Sequence, residues 1–250
     1  VKKLIVCAYG GGTDSTAMII RCQKEGVKID VILFSDTGGE KPHTYKYIKT
    51  FNKWLIKNGM PEITIIKNTQ PSKVMGLYEM CMKHKTLPSI AYGFKSCSVQ
   101  FKIEPVDRYL KDNFPEEWKS GNIIKYIGYD ADEHQRAKES PNKHYENEFP
   151  LIEWDMGRDD CIEEIEAAGL PKAGKSACYF CPSSKPHEIR ELLRVYPELA
   201  EKAIAMEENA ELTKVIGLGR SYSWKNLLAT NDMFDDDLYT IESPCGCYDG

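Results

Sequence analysis

The chain has 250 residues, 42% of them hydrophobic, which is enough for one or two domains with a real core. A formal net charge of −5 excludes a broad electrostatic attraction to nucleic acid and leaves only a local basic patch as a way to bind one. No run of 18 apolar residues exists and the first residues enter a strand with no signal peptide in view, so a cytoplasmic protein without a membrane partner is expected.

Residues 4–8, LIVCA, are an apolar run of strand length. Gly10, Gly11 and Gly12 follow, then Thr13, Asp14, Ser15 and Thr16 at the head of a helical stretch over residues 16–25. A strand, a glycine turn and a helix start form a phosphate site, because glycines let the backbone approach an anion and the first helical N–H groups point at it. No Gly-Lys-Ser/Thr follows, so this is not a Walker A loop. Three readings stay open. Gly10, Gly12 and Ser15, with Asp36 about 20 residues on, fit a degenerate dinucleotide fingerprint. Gly11, Gly12, Thr13, Asp14 and Ser15 fit the pyrophosphate loop of ATP pyrophosphatases, Ser-Gly-Gly-x-Asp-Ser, with Gly10 in the place of the leading serine. A tight turn without a ligand is the third. The Asp14 carboxylate would repel phosphates unless a cation stood between them, so it implies Mg²⁺.

Residues 29–34 read as a second buried strand, 45–57 as an amphipathic helix and 62–67 as a third strand. Repeated βα units predict a parallel sheet covered on both faces, with ligands beyond the carboxyl ends of the strands. Asp36, Thr37, Gly38, Gly39 and Glu40 leave the second strand at that edge, which places Asp36 and Glu40 beside whatever the first loop holds; a solvated turn is the alternative. Residues 73–85 read as helix, 86–97 as loop, 106–113 as helix and 122–129 as strand. That strand runs into residues 130–136, where Arg136 is suited to hold a phosphate or, equally, to be an ordinary surface charge. A helix is expected over 159–168 and a long amphipathic helical region over 188–209. A boundary near Pro150 divides a nucleotide-binding α/β part, residues 1–150, from a smaller helical, cysteine-bearing part, residues 151–250.

The chain has nine cysteines. Cys178-x-x-Cys181 has the spacing of a metal or cluster ligand pair, with a redox disulfide as the rival, and the tail carries Cys245 and Cys247.

Taken together these motifs resemble the phosphoadenosine phosphosulfate reductase-like family of adenine nucleotide α-hydrolases, in its sulfur-incorporating branch. The resemblance covers about residues 4–190. It rests on residues 11–15, on 36–40, on 97–105, on Gly128 through Arg136, on 150–154 and on Cys178 through Pro182. It implies a Rossmann-like, HUP-type domain with an adenine nucleotide on the glycine loop. ATP would be cleaved to AMP and pyrophosphate, adenylating an unidentified acceptor, a nucleotide or nucleic acid among the candidates, for transfer of sulfur from a donor protein. Gly10 through Thr16, with Asp36, Thr37 and Gly38, would hold the nucleotide. Asp14, Ser15, Asp36, Glu40 and Arg136 would serve catalysis. The resemblance further implies Cys97, Cys178 and Cys181 as ligands of a [4Fe–4S] cluster, with Cys245, Cys247, Cys161 or no protein group as the fourth. A four-cysteine zinc site using the tail is the rival. Two other functions remain: a thiol-dependent sulfonucleotide reductase, whose loop in the family lacks the aspartate, and a non-catalytic nucleotide sensor with structural zinc.

Overall fold

A computed structural model of the chain describes residues 2–68, 75–88, 90–91, 94–140 and 142–229. The sheet contains β1 (Leu4–Ala8), β2 (Val31–Ser35), β3 (Ile63–Ile66), β6 (Ile123–Ile127) and β7 (Glu146–Glu148), in the spatial order β3-β2-β1-β6-β7. Every pairing is parallel. The short strands β4 (Ile90–Ala91) and β5 (Phe94–Lys95) pair antiparallel outside this sheet, within the stretch read from sequence as loop.

Between them the strands carry α1 (Thr13–Lys24), α2 (Pro42–Lys57), α3 (Leu77–His84), a helical turn α4 (Ser96–Ser98), α5 (Glu104–Asn113) and α6 (Pro115–Ser120). A π-helical turn over Val99–Ile103 joins α4 to α5. After β6 come a 3₁₀ turn (Ala131–Arg136), α7 (Pro150–Glu153), α8 (Arg158–Ala167), α9 (Pro186–Val195), α10 (Pro197–Asn209) and α11 (Trp224–Ala229). The expected single helical region over 188–209 is two helices. Tyr196, at φ −138° and ψ 65°, precedes Pro197, which cannot continue an α-helical hydrogen-bond ladder. β7, Glu-Asn-Glu, has no apolar alternation to mark it as a strand; it is held as the sheet's edge by its pairing with β6. The helix expected from residue 16 starts at Thr13, immediately after the extended Gly12.

Alternate residues of β1 and β2 feed two apolar layers, as expected for a parallel sheet buried on both faces. Cys7, Ile32 and Phe34 pack with α1, α2 and α8, and this layer also includes Leu151, Met156 and Leu170. Val6, Val31 and Leu33 pack with Val106, Leu110 and Trp118 on the other face. A further core joins Leu77 of α3 and Phe101 to Phe180, Ile189, Leu192, Met206 and Trp224. Among the described residues, no helix is long and apolar enough to cross a membrane.

Lys125, in the middle of β6, is fully buried, with its Nζ 3.9 Å from the centre of the Tyr145 ring. Burial lowers its pKa from the usual 10.5 to about 8, against the opposing pull of the Asp107 carboxylate. Between those two values the unfolded chain binds the proton and the folded chain does not, so this group's contribution to stability rises with pH across that window. Below about pH 8 its penalty is constant. The stability of the wild type relative to Lys125→Met is therefore expected to rise by about 2 kcal/mol from pH 7 to pH 10. Urea unfolding of both proteins at each pH measures this. The buried thiols and tyrosines, common to both, cancel in the difference.

Candidate active site at the carboxyl edge of the sheet

β1 connects to β2 on one side, while β6 lies on its other side, so strand order reverses between β1 and β6. A crevice for a ligand opens where such a reversal occurs. The glycine loop leaves β1 at this point. Gly12 is the extended residue preceding α1, and no side chain caps the helix. The first-turn amides of Thr13, Asp14 and Ser15 are thus unclaimed by a cap, as an anion site requires. The loop is pinned around Gly10: its N–H donates to Ser15 Oγ at 3.2 Å, and its carbonyl accepts from Ser176 Oγ. Thr16 Oγ1 donates to the Gly12 carbonyl at 2.7 Å.

Asp14 is buried and receives a hydrogen bond of 2.7 Å from Nη1 of Arg158, the first residue of α8. In the sequence Arg158 is one charge 144 positions from Asp14. Only the packing of α8 on α1 brings it here. Asp130, on the loop after β6, is 1% exposed, and its Oδ1 has no hydrogen-bond partner among the described residues. Burial, and then the neighbouring Asp132 carboxylate, raise its pKa, while Arg158 opposes that shift. Asp14 and Asp130 both act on the Cys161 thiol, which burial and their charges hold protonated. Asp14 and Asp130 both lie within electrostatic reach of Cys161 and Arg158, and carboxylate oxygens are the hard donors that Mg²⁺ takes together with phosphate oxygens.

The second loop stands beside the first. Asp36 Oδ1 accepts from Gly38 N–H at 2.8 Å and Tyr45 OH at 2.7 Å, and Lys67 Nζ lies 3.3 Å from Oδ2. Asp36 therefore orders its own turn as well as bordering the site. Glu40 pairs through its backbone with Cys178, and Ser176 Oγ approaches its Oε2 at 3.4 Å. Thr37 Oγ1 and Cys178 Sγ meet at 3.1 Å. Gly39 has to be glycine for this junction to close: a Cβ there would lie 2.8 Å from the Phe180 ring.

Cys97, Cys178 and Cys181 line one small cavity of about 30 Å³ together with Thr37, Glu40 and Lys102. Among the described residues, however, no three His, Cys, Asp or Glu side chains are grouped so as to hold a metal ion. Cys245 and Cys247, the remaining expected ligands, lie outside the described residues. Lys102 also borders a space of about 10 Å³ beside Tyr9, Gly10 and Ser35. It sits in the π-helical turn, an irregularity frequent at functional sites. Arg136 forms an ion pair with Glu133 and lies 4.2 Å from the centre of the Tyr129 ring, so it belongs to the rim after β6.

Residues 4–158 match the family profile described as phosphoadenosine phosphosulfate reductase domain. Two uncharacterized proteins of Methanocaldococcus jannaschii are similar. One is 25% identical over 213 residues, covering 81% of this chain and 41% of that protein. The other is 24% identical over 232 residues, covering 88% and 51%. An uncharacterized nin region protein of Escherichia phage lambda is 27% identical over 159 residues, covering 56% of this chain and 52% of its own length. The chain thus spans about half the length of the curated relatives it matches.

Proposed function

The chain belongs to the phosphoadenosine phosphosulfate reductase domain family, and on that premise we propose that it is an ATP pyrophosphatase that adenylates an acceptor. The observation that carries the reading is Asp14: a buried carboxylate in the first turn of α1, held by Arg158, at the place where amides await phosphate. A negative side chain belongs in a phosphate site when a cation is shared between them. The triphosphate lies along the glycine loop and the start of α1. An acceptor oxygen attacks the α-phosphorus, the bond to the bridging oxygen breaks, and pyrophosphate leaves. Loop amides and the cations Arg158 and Lys102 stabilise the charge that builds on the phosphates. Bound Mg²⁺, held by Asp14 and Asp130, would supply further charge neutralisation.

The neighbouring thiol-lined cavity supports sulfur as the second nucleophile: it attacks the activated carbon, and AMP leaves with the acceptor oxygen.

Calorimetry and product analysis on the full chain test this. The expected result is ATP binding that requires Mg²⁺, with AMP and pyrophosphate formed in equal amounts. Formation of ADP and phosphate would overturn it. So would failure to bind ATP by a protein that binds a sulfonucleotide, which is the reductase's signature.

A further inference from the structure

Beside the Gly38–Glu40 loop, a cleft of about 540 Å³ opens between α2, α3 and α10. Its walls include Tyr45, Tyr78 and Tyr179, with Lys46 and Lys49 from α2 and Lys202 from α10. Tyr78 and Tyr179 lie with ring centres 6.1 Å apart, and Tyr45 and Tyr78 are half-buried, so aromatic surface faces the opening. Glu40 and Glu79 also border it, but Glu40 is engaged by Ser176 and Cys178.

The outer side of the cleft is the exposed face of α2. This helix has four lysines and no acidic residue, in a chain whose net charge is −5. Lys46, Lys49 and Lys53 are all exposed and stand three and four residues apart, which puts them in one row with about 5–6 Å between neighbours. Neither they nor Lys202 form an ion pair with any described residue. Charge on a surface can be neutralised internally, and here it is not.

We propose that this cleft and lysine row dock a single-stranded nucleic acid, with one base among the tyrosines and the adjoining phosphates on Lys46, Lys49 and Lys53. The proposal rests on the adenylation reading above in one respect only: it names the class of acceptor whose base would stand next to Gly38 and Glu40. The chemistry selects a single strand. A tyrosine-walled cleft takes a base only when it is unstacked, and stacking on aromatic rings tolerates any sequence. A duplex would need a broad basic face, which the net charge denies it.

The test is fluorescence anisotropy with labelled oligodeoxythymidine and oligouridine of about 12 nucleotides, a length within the usual site size, without ATP. The full chain is expected to bind at about 50 mM salt, with affinity falling as salt rises. Tyr78→Ala is expected to weaken binding about tenfold, while Tyr78→Phe retains it, because stacking needs the ring and not the hydroxyl. The triple change Lys46→Gln, Lys49→Gln, Lys53→Gln alters only exposed side chains; it should lower the salt slope by about 2, the value for three phosphates on a single strand. The proposal is overturned if the triple variant binds like wild type, if a duplex binds as tightly as the single strand, if polyglutamate displaces the oligonucleotide at equal charge, or if nothing binds. Because ATP is absent, failure here leaves the pyrophosphatase reading standing, and failure of ATP cleavage leaves this binding intact.

Discussion

Asp14→Asn is expected to lower pyrophosphate release by about 10³-fold while leaving the fold in place. Asparagine keeps the shape and the oxygen that accepts from Arg158, so the junction between α1 and α8 retains its hydrogen bond. What disappears is the anion. In the proposed reaction that anion fixes the cation against the phosphates, and removing a preorganised electrostatic group costs about 10²–10³ in rate even where only one hydrogen-bond donor is lost. The stability cost is smaller: the pair is partly exposed, with side chains 17% and 12% accessible, so weakening it is expected to cost about 1–2 kcal/mol. Steady-state rates at saturating Mg²⁺ and urea unfolding on the same sample separate the two effects. A variant that loses several kcal/mol and retains its turnover assigns Asp14 to structure alone. One that releases pyrophosphate at the wild-type rate with Mg²⁺ supplied removes it from the mechanism.

The parts of this site that sequence makes legible are those in which backbone chemistry is local. Gly10 to Ser15 announce a turn after a strand, and Asp36 to Glu40 do the same one unit later; a parallel sheet then sends both to one edge. Arg158 and Ser176 were not legible. Each reaches the glycine loop across more than 140 residues, through the packing of α8 and the pairing of Cys178 with Glu40. Asp130 was visible only as one of several charges after a strand. Its unsatisfied oxygen is a property of burial, which periodicity does not report. The cysteines show the limit from the other side. The spacing of Cys178 and Cys181 places two thiols on one turn, but that Cys97 joins their cavity comes from tertiary packing, which spacing does not report.

A glycine whose replacement is expected to disrupt the candidate site lies outside the glycine-rich loop. Gly128 follows β6, and a Cβ there would fall 2.7 Å from both the backbone nitrogen and Cα of Ser15, and 3.1 Å from the carbonyl carbon of Asp14. All three are backbone atoms in the first turn of α1. A flexible side chain could swing aside, but a helix start anchored by the Gly10–Ser15 and Thr16–Gly12 hydrogen bonds cannot. Gly128→Ala must therefore push the β6 loop away from α1, opening the crevice proposed to hold the phosphates beside Asp130. Overpacking of this kind costs about 1–3 kcal/mol, and with backbone on both sides the upper end is expected. Gly12→Ala supplies the comparison. Gly12 sits at φ −100°, open to any residue, and its added methyl would meet Ser176 at an ordinary 3.6 Å. It should unfold within about 1 kcal/mol of wild type. Urea midpoints of the two alanine variants, with Mg²⁺–ATP affinity by calorimetry, check both expectations: Gly128→Ala loses stability and nucleotide together. If instead Gly12→Ala is the less stable, the close approach of β6 to α1 does not hold the site together.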